Sequence, residues 1–260
     1  MRIVIVIPTY NERANIVALV DGVRAACTRL PHRIALLVVD DESPDGTADA
    51  VRTLQRRVPD VHLLQDRRLG LGRAYVRGIR HAIEKLGADA VVQMDADFSH
   101  RPEDVPRLIA ALEEGADLAI GSRYVGGGSV SHRWPLVRRL NSRFGNLLAR
   151  RLLDLGSVSD CTAGFRAIRA TLVHEIRLDR LRVSGFAMQV AVLHEARALG
   201  ARIREIPVEY VERQLGKSKL RIADVSEFIF NAFRIRLSKT ALRRRPARMA
   251  IGPSVRTGAK

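Results

Sequence analysis

A chain of 260 residues, 47% hydrophobic and 28% charged, is long enough to bury a substantial core and has the composition of a folded protein rather than a disordered one. Its formal charge of +16 points to polyanionic partners, while an aromatic content of 5%, with no interleaving of basic and aromatic residues, argues against single-strand nucleic-acid binding. No apolar run approaches the length of a membrane span, and the N-terminal run is too short for a signal peptide, so the expected location is cytoplasmic. Cys27 and Cys161 fit no metal or disulfide pattern and read as core thiols.

In chain order, short β-rich runs at 2–7, 34–40, 61–65, 90–94 and 118–121 alternate with helical patterns near 15–30, 47–58, 72–86 and 103–114. Near-continuous apolar strands separated by helices predict an α/β fold, a mostly parallel sheet with helices on both faces. Ligands of such sheets bind at the carboxyl ends of the strands. The polar clusters fall there: PTYNE (8–12) after the first strand, DDESPDGT (40–47) after the second and DADFSH (95–100) after the fourth. Next comes a Gly/Ser-rich segment, 121–135, long enough for a mobile lid, then two helical patterns, then a strand leading into a basic loop within 201–220.

An amphipathic helix is expected near 222–239, where Ile222, Val225, Phe228, Ile229, Ala232, Phe233 and Leu237 make one apolar stripe. Two acid-free stretches, 133–153 with six arginines and 228–260 with nine basic residues, suit anionic lipid headgroups or phosphorylated substrates.

Each polar cluster also has a plain structural explanation. Asn11 or Asn15 can cap the helix that follows, and a turn over Ser43–Gly46 with Thr47 as cap accounts for 43–47. That turn leaves Asp40 and Asp41 over, two adjacent carboxylates suited to a nucleobase or ribose. Gly70 and Gly72 let backbone approach a ligand, but they are not a G-x-G-x-x-G and do not follow the first strand, which excludes the dinucleotide fingerprint. Asp95 and Asp97, at a strand end, suit Mg²⁺ or Mn²⁺ bound together with substrate phosphates.

PTYNE, DDESPDGT, GLGRA, DADFSHRPED, GSRY, SDCTAGFR and REIPVEYVERQLGKSKL, in order between about residues 3 and 232, resemble the family 2 glycosyltransferases, most of all the dolichyl/polyprenyl-phosphate mannose synthases. The resemblance implies a Rossmann-like GT-A catalytic domain, placed over 1–240 with the C-terminal amphipathic helix, while the residues of 241–260 themselves read as a basic, disordered tail. It implies metal-dependent transfer of mannose from GDP-mannose to a polyprenyl or dolichyl phosphate, with inversion.

The resemblance assigns Pro8, Tyr10, Glu12, Asp41, Ala96, Arg213 and Lys219 to the nucleotide sugar. Asp95, Asp97 and Ser99 fall to the cation, Ser99 standing where some relatives carry Gln. Arg123, Arg138 and Ser142 fall to the acceptor phosphate, and Asp97, Arg123 and Arg138 are the expected catalytic residues. One departure is Ala191, where the family commonly has Glu two residues after Gln189.

A lipid phosphate is already an anion, so the expected chemistry is charge neutralisation and alignment rather than general base catalysis. The expected location is peripheral, at the cytoplasmic face of an anionic membrane, through the basic tail or a membrane-protein partner. Two alternatives remain at this point: a polyprenyl-phosphate glucosyltransferase using UDP-glucose, and a non-enzymatic basic adaptor for membrane or nucleic acid. A nucleotidyltransferase should carry a Gly-rich loop with Lys after the first strand, where PTYNE stands instead.

Overall fold

The computed structural model describes residues 1–131, 134, 136–176, 178 and 187–211, with only the backbone of Arg138. The expected positions of Arg213 and Lys219, the helix near 222–239, the tail over 241–260 and the side chain of Arg138 lie outside these residues. Strand β1 (Arg2–Thr9) is buried at every position after the first. Its β-branched run fits a pleated surface with a neighbour on either side. It pairs in parallel with β2 (Arg33–Asp40) and β4 (Ala90–Gln93), and β3 (Val61–Gln65) extends the sheet beyond β2. On the other side the order continues through β7 (Arg166–Arg169), β5 (Leu118–Ser122) and β8 (Ile203–Pro207).

The mostly parallel α/β sheet is therefore as expected, with one exception: β7 runs antiparallel to both β4 and β5. The sequence of β7, RAIR, is too short and too charged at its ends to stand out as a buried strand. A second, two-stranded ribbon pairs β6 (Ser129–Val130) with β9 (Glu209–Tyr210). Strand β6 lies inside the segment long enough for a mobile lid, and the pairing ties that segment to the chain around β9 by backbone bonds such as Ser129 N–H to Val208 O and Ser131 N–H to Tyr210 O.

Alternation along the strands sends side chains to two cores. Ile3, Ile5 and Ile7 face α1 (Arg13–Cys27), α2 (Thr47–Gln55) and α4 (Val105–Glu113). Val4 and Val6 face α3 (Leu71–Glu84) and α7 (Ala187–Ala198), with part of α6 (Ala170–Ile176). Helix α5 (Leu136–Leu152) sends Ala149 into the second core but keeps Leu136, Val137, Leu140, Phe144 and Leu147 exposed. Ala191 is buried in that core, which explains how an apolar residue is accommodated where the family carries Glu. Both cysteines are buried and free, as expected.

The predicted caps differ. Asn15 lies inside α1 and donates to Glu12 Oε2, while Asn11 adopts a left-handed backbone with φ 57° and gives its N–H to Ser43 Oγ. At α2 it is Asp45, not Thr47, that accepts the free N–H of the first turn, at 3.0 Å. The shorter reach of Asp45 across the turn wins because Thr47 is itself the first helical residue.

The close seating of α3 on the sheet requires Gly78. A Cβ there would lie 2.4 Å from Val6 Cγ1 and 2.7 Å from Val39 Cγ2, both side chains of packed strands. Gly78→Ala should therefore destabilise the protein by about 1–3 kcal/mol, against the gain of roughly 1 kcal/mol that helix propensity alone predicts. Urea unfolding of the two proteins measures the sign.

Candidate active site

The carboxyl ends of β2, β1 and β4 lie side by side and bring the three polar clusters together. At the end of β2 the two adjacent aspartates separate. Asp40 is fully buried, and its carboxylate accepts from the Thr9 hydroxyl, the Ser43 hydroxyl and the Ser43 N–H. The turn thus accounts for Asp40, contrary to the expectation that it leaves both aspartates over. Asp41, the residue expected at the nucleotide, accepts from the Gly70 N–H through Oδ2 and from the Arg77 guanidinium through Oδ1. Arg77 also reaches Asp66. Above the end of β1, the Arg68 guanidinium sits 3.7 Å from the centre of the Tyr10 ring, a cation–π contact. Pro8 and Glu12 are buried beneath, and the Glu12 N–H donates to Thr47 Oγ1, coupling the first turn to the second.

The segment after β4 holds the D-x-D pair. Asp97, 5% exposed, accepts from the Ser99 N–H and the Ser99 hydroxyl through Oδ1, while Ala96 turns into the core. Asp95 is more open and accepts from the Tyr75 hydroxyl at 2.7 Å. Burial, reinforced by Asp95, pushes the Tyr75 phenol well above its usual range, so it serves as a donor. His100 stacks on Phe165 with ring centres 4.8 Å apart, and its Nδ1 accepts from the Asp95 N–H.

Among the described residues no three His, Cys, Asp or Glu side chains converge as a metal cluster. Two strand-end carboxylates fit a hard divalent cation whose remaining ligands come from substrate phosphates and water, the usual arrangement for Mg²⁺. The side chain of Ser99 is turned to Asp97, a contact that competes with its expected service as a direct ligand.

On the other side of β7, Arg123 at the end of β5 forms a fork with Asp160: Nε to Oδ2 and Nη2 to Oδ1, both 2.7 Å. Nη2 also donates to Thr162 Oγ1, and the Arg123 N–H to Asp160 Oδ2. Burial acts against charge on both partners, yet each keeps the other ionised. Asp160 falls below the usual carboxylate range and Arg123 rises above the usual guanidinium value. Arg123 is thus built into a buried pair, a role its motif alone does not reveal, and Nη1 is the nitrogen that none of these bonds uses. Ser142 is reached through the Tyr124 hydroxyl at 2.7 Å. Asn146, one turn further along α5, accepts from the Cys161 N–H and so fixes the Asp160 loop.

Arg166 locks the same loop from below: fully buried, it donates to the carbonyls of Ala163, Gln189 and Cys161. Tyr210 of β9 joins the two sides. Its neighbour Val211 donates its N–H to Ser99 O, and the Tyr210 ring packs edge-on against His100 and Trp134 and lies beneath the Arg123 guanidinium, 5.5 Å from ring centre to Cζ.

The structure thus brings Asp95, Asp97, Ser99, Arg123 and Ser142 into one continuous set, with Pro8, Tyr10, Glu12 and Asp41 at neighbouring strand ends. It adds Tyr75, Arg77, His100, Asp160, Thr162, Arg166 and Tyr210. Of these, Asp160, Thr162 and Arg166 lie in SDCTAGFR, His100 in DADFSHRPED and Tyr210 in REIPVEYVERQLGKSKL, so the motif pattern marked their segments without giving them roles, whereas Tyr75 and Arg77 fall just outside GLGRA.

A mostly parallel α/β sheet that gathers buried carboxylates at its carboxyl edge, beside a forked arginine, defines an enzyme that handles phosphorylated substrates. The chain belongs to glycosyl transferase family 2, whose family model matches residues 4–177. It is 42% identical over 235 residues to an undecaprenyl-phosphate mannosyltransferase of Micrococcus luteus, covering 90% of this chain and 93% of that one. It is 40% identical over 231 residues to a polyprenol monophosphomannose synthase of Mycolicibacterium smegmatis, covering 88% and 84%.

Among solved structures, the glucosyl-3-phosphoglycerate synthase of Mycobacterium tuberculosis, crystallised with Mn²⁺, UDP and glucosyl-3-phosphoglycerate, superposes with a TM-score of 0.62 at 22% identity. The match covers 90% of this chain and 79% of that one. That level of identity speaks for the shared GT-A, Rossmann-like fold. Family membership also sets aside the non-enzymatic adaptor.

Asp160→Asn should expose the worth of the buried pair, since Arg123 would keep its charge without a counter-ion. The expected loss is about 3–5 kcal/mol at neutral pH. Because the folded value of Asp160 lies below the unfolded one, its contribution is present above the unfolded pKa of about 3.9 and is lost as pH falls through the folded value. The stability gap between wild type and Asp160→Asn in denaturation curves should therefore hold from pH 7 to about pH 4 and narrow below that, closing only beneath the folded value of Asp160.

Proposed function

We propose that the protein transfers mannose from GDP-mannose to a polyprenyl monophosphate, with inversion at the sugar carbon. The observation that carries this is the similarity, along about nine tenths of the chain, to a mannosyltransferase of undecaprenyl phosphate. The acceptor phosphate is already a nucleophilic anion, and no side chain is needed to deprotonate it. Tyr10, Glu12 and Asp41 take the nucleoside, with Arg213 and Lys219 on the donor phosphates. Arg123 receives the acceptor phosphate with Arg138 and Ser142, its fork pinned by Asp160 so that the guanidinium does not reorganise during transfer.

Asp95 and Asp97 hold a divalent cation, Mg²⁺ or Mn²⁺, which when bound neutralises charge on the departing diphosphate. Among the described residues no helix is long and apolar enough to cross a membrane. We infer that the enzyme meets its lipid substrate as a peripheral protein. The exposed apolar residues of α5, on the helix that carries Ser142, support delivery of the acceptor from an apolar phase.

Labelled GDP-mannose, UDP-glucose and GDP-glucose, each offered with a polyprenyl phosphate, test the donor and the sugar together. GDP-mannose should give the lipid product with clear preference, and dominant transfer from UDP-glucose would refute the assignment. Asp97→Asn should abolish transfer and remove the cation-dependent part of GDP binding, because a neutral amide replaces a charged ligand. Full activity in that variant would end the cation assignment.

Arg123→Lys keeps a charge but loses the fork. The expected effect is weaker apparent affinity for the lipid phosphate, with GDP-mannose affinity nearly unchanged in a binding titration.

A further inference from the structure

A buried phenol has to find a partner for its hydroxyl, and the partner of Tyr75 is unusual. Tyr75 is 1% exposed on α3, packed in the core beneath the sheet, yet its hydroxyl donates at 2.7 Å to Oδ1 of Asp95, one of the two D-x-D carboxylates. An apolar residue of the same shape would fill that core position at less polar cost. The backbone of Asp95 is held independently, by its N–H donating at 3.1 Å to Nδ1 of His100, whose ring is fixed against Phe165. The other ring nitrogen, Nε2, lies 4.0 Å from Asp95 Oδ2. One carboxylate oxygen is thus spent inside the protein, and the other has no closer polar partner among the described residues.

We infer that Tyr75 is a positioning residue for the cation: by occupying Oδ1 it fixes the carboxylate plane of Asp95 and presents Oδ2 alone as a ligand. This rests on the proposed role of Asp95 and Asp97 as cation ligands. A carboxylate restricted to one oxygen suits a small octahedral cation such as Mg²⁺ or Mn²⁺, whereas Ca²⁺ favours carboxylates that can offer both. Hydrogen-bond partners behind a ligand commonly account for a tenfold to hundredfold difference in metal affinity.

The test is Tyr75→Phe in the full chain, which removes one oxygen and keeps the ring in the core. Mn²⁺ is titrated into protein saturated with GDP, and free Mn²⁺ is followed by electron paramagnetic resonance. The Mn²⁺ Kd should rise about tenfold to a hundredfold, while GDP affinity measured in EDTA stays at the wild-type value. A purely structural role for the hydroxyl would not separate these two affinities. A Mn²⁺ Kd within about threefold of wild type overturns the inference while leaving the cation assignment intact. Wild-type protein that takes up no Mn²⁺ in the presence of GDP overturns both.

Discussion

A carboxylate withdrawn from water must be supplied with donors or cations, and the carboxyl edge of this sheet carries Asp40, Asp41, Asp97 and Asp160, each less than a tenth exposed. Much of the local architecture follows from meeting that demand. Asp40 shapes the turn into α2, Asp41 ties down the start of α3 through Gly70 and Arg77, Asp97 closes its own loop through Ser99, and Asp160 clamps Arg123. The strand ends supply rigid platforms, and the donors come from elements distant in sequence. Loss of one donor would leave a charge stranded rather than merely remove a contact.

These clamps divide the site into two banks. Around Asp95 and Asp97 the surroundings are acidic and aromatic, with Tyr75, His100 and Tyr210 as the lining. Around Arg123 the charge is paired with Asp160 and the lining is hydroxylated, with Thr162, Ser142 and Tyr124. Tyr210 touches both, and burial with the nearby Asp97 and Asp95 raises its phenol above the usual range. It remains a neutral spacer between opposite charges. The β6–β9 ribbon that carries it also fixes the Gly-rich segment after Arg123, so the two banks are braced against each other through one short pairing.

The first half of the fold was legible because its strands are continuous apolar runs and its helices regular. The D-x-D, the strand-end placement and the family motifs came from the same segments. The reversal at β7 was hidden, since four residues with arginine at both ends carry no period. The Arg123–Asp160 fork joins positions 37 residues apart, and the Tyr75–Asp95 bond joins positions 20 apart, so neither leaves a local trace. Asp40 was misjudged for another reason: it ends β2 and Asp41 follows outside the strand, and only three-dimensional pairing separates the one that folds the turn from the one that faces Arg77.

The reversed strand has a consequence for spacing. Because β7 runs against its neighbours, the residues that precede it, not those that follow, arrive at the carboxyl edge, and they deliver Asp160 and Thr162 between the ends of β4 and β5. The inserted strand also sets β4 and β5 two inter-strand steps apart, about 10 Å. That is close to the distance over which physiological salt screens charge. Two phosphate-bearing molecules, one against each bank, would therefore meet little mutual repulsion while they remain exposed to solvent, and the protein has to overcome a growing, poorly screened repulsion as they are drawn out of water and into line.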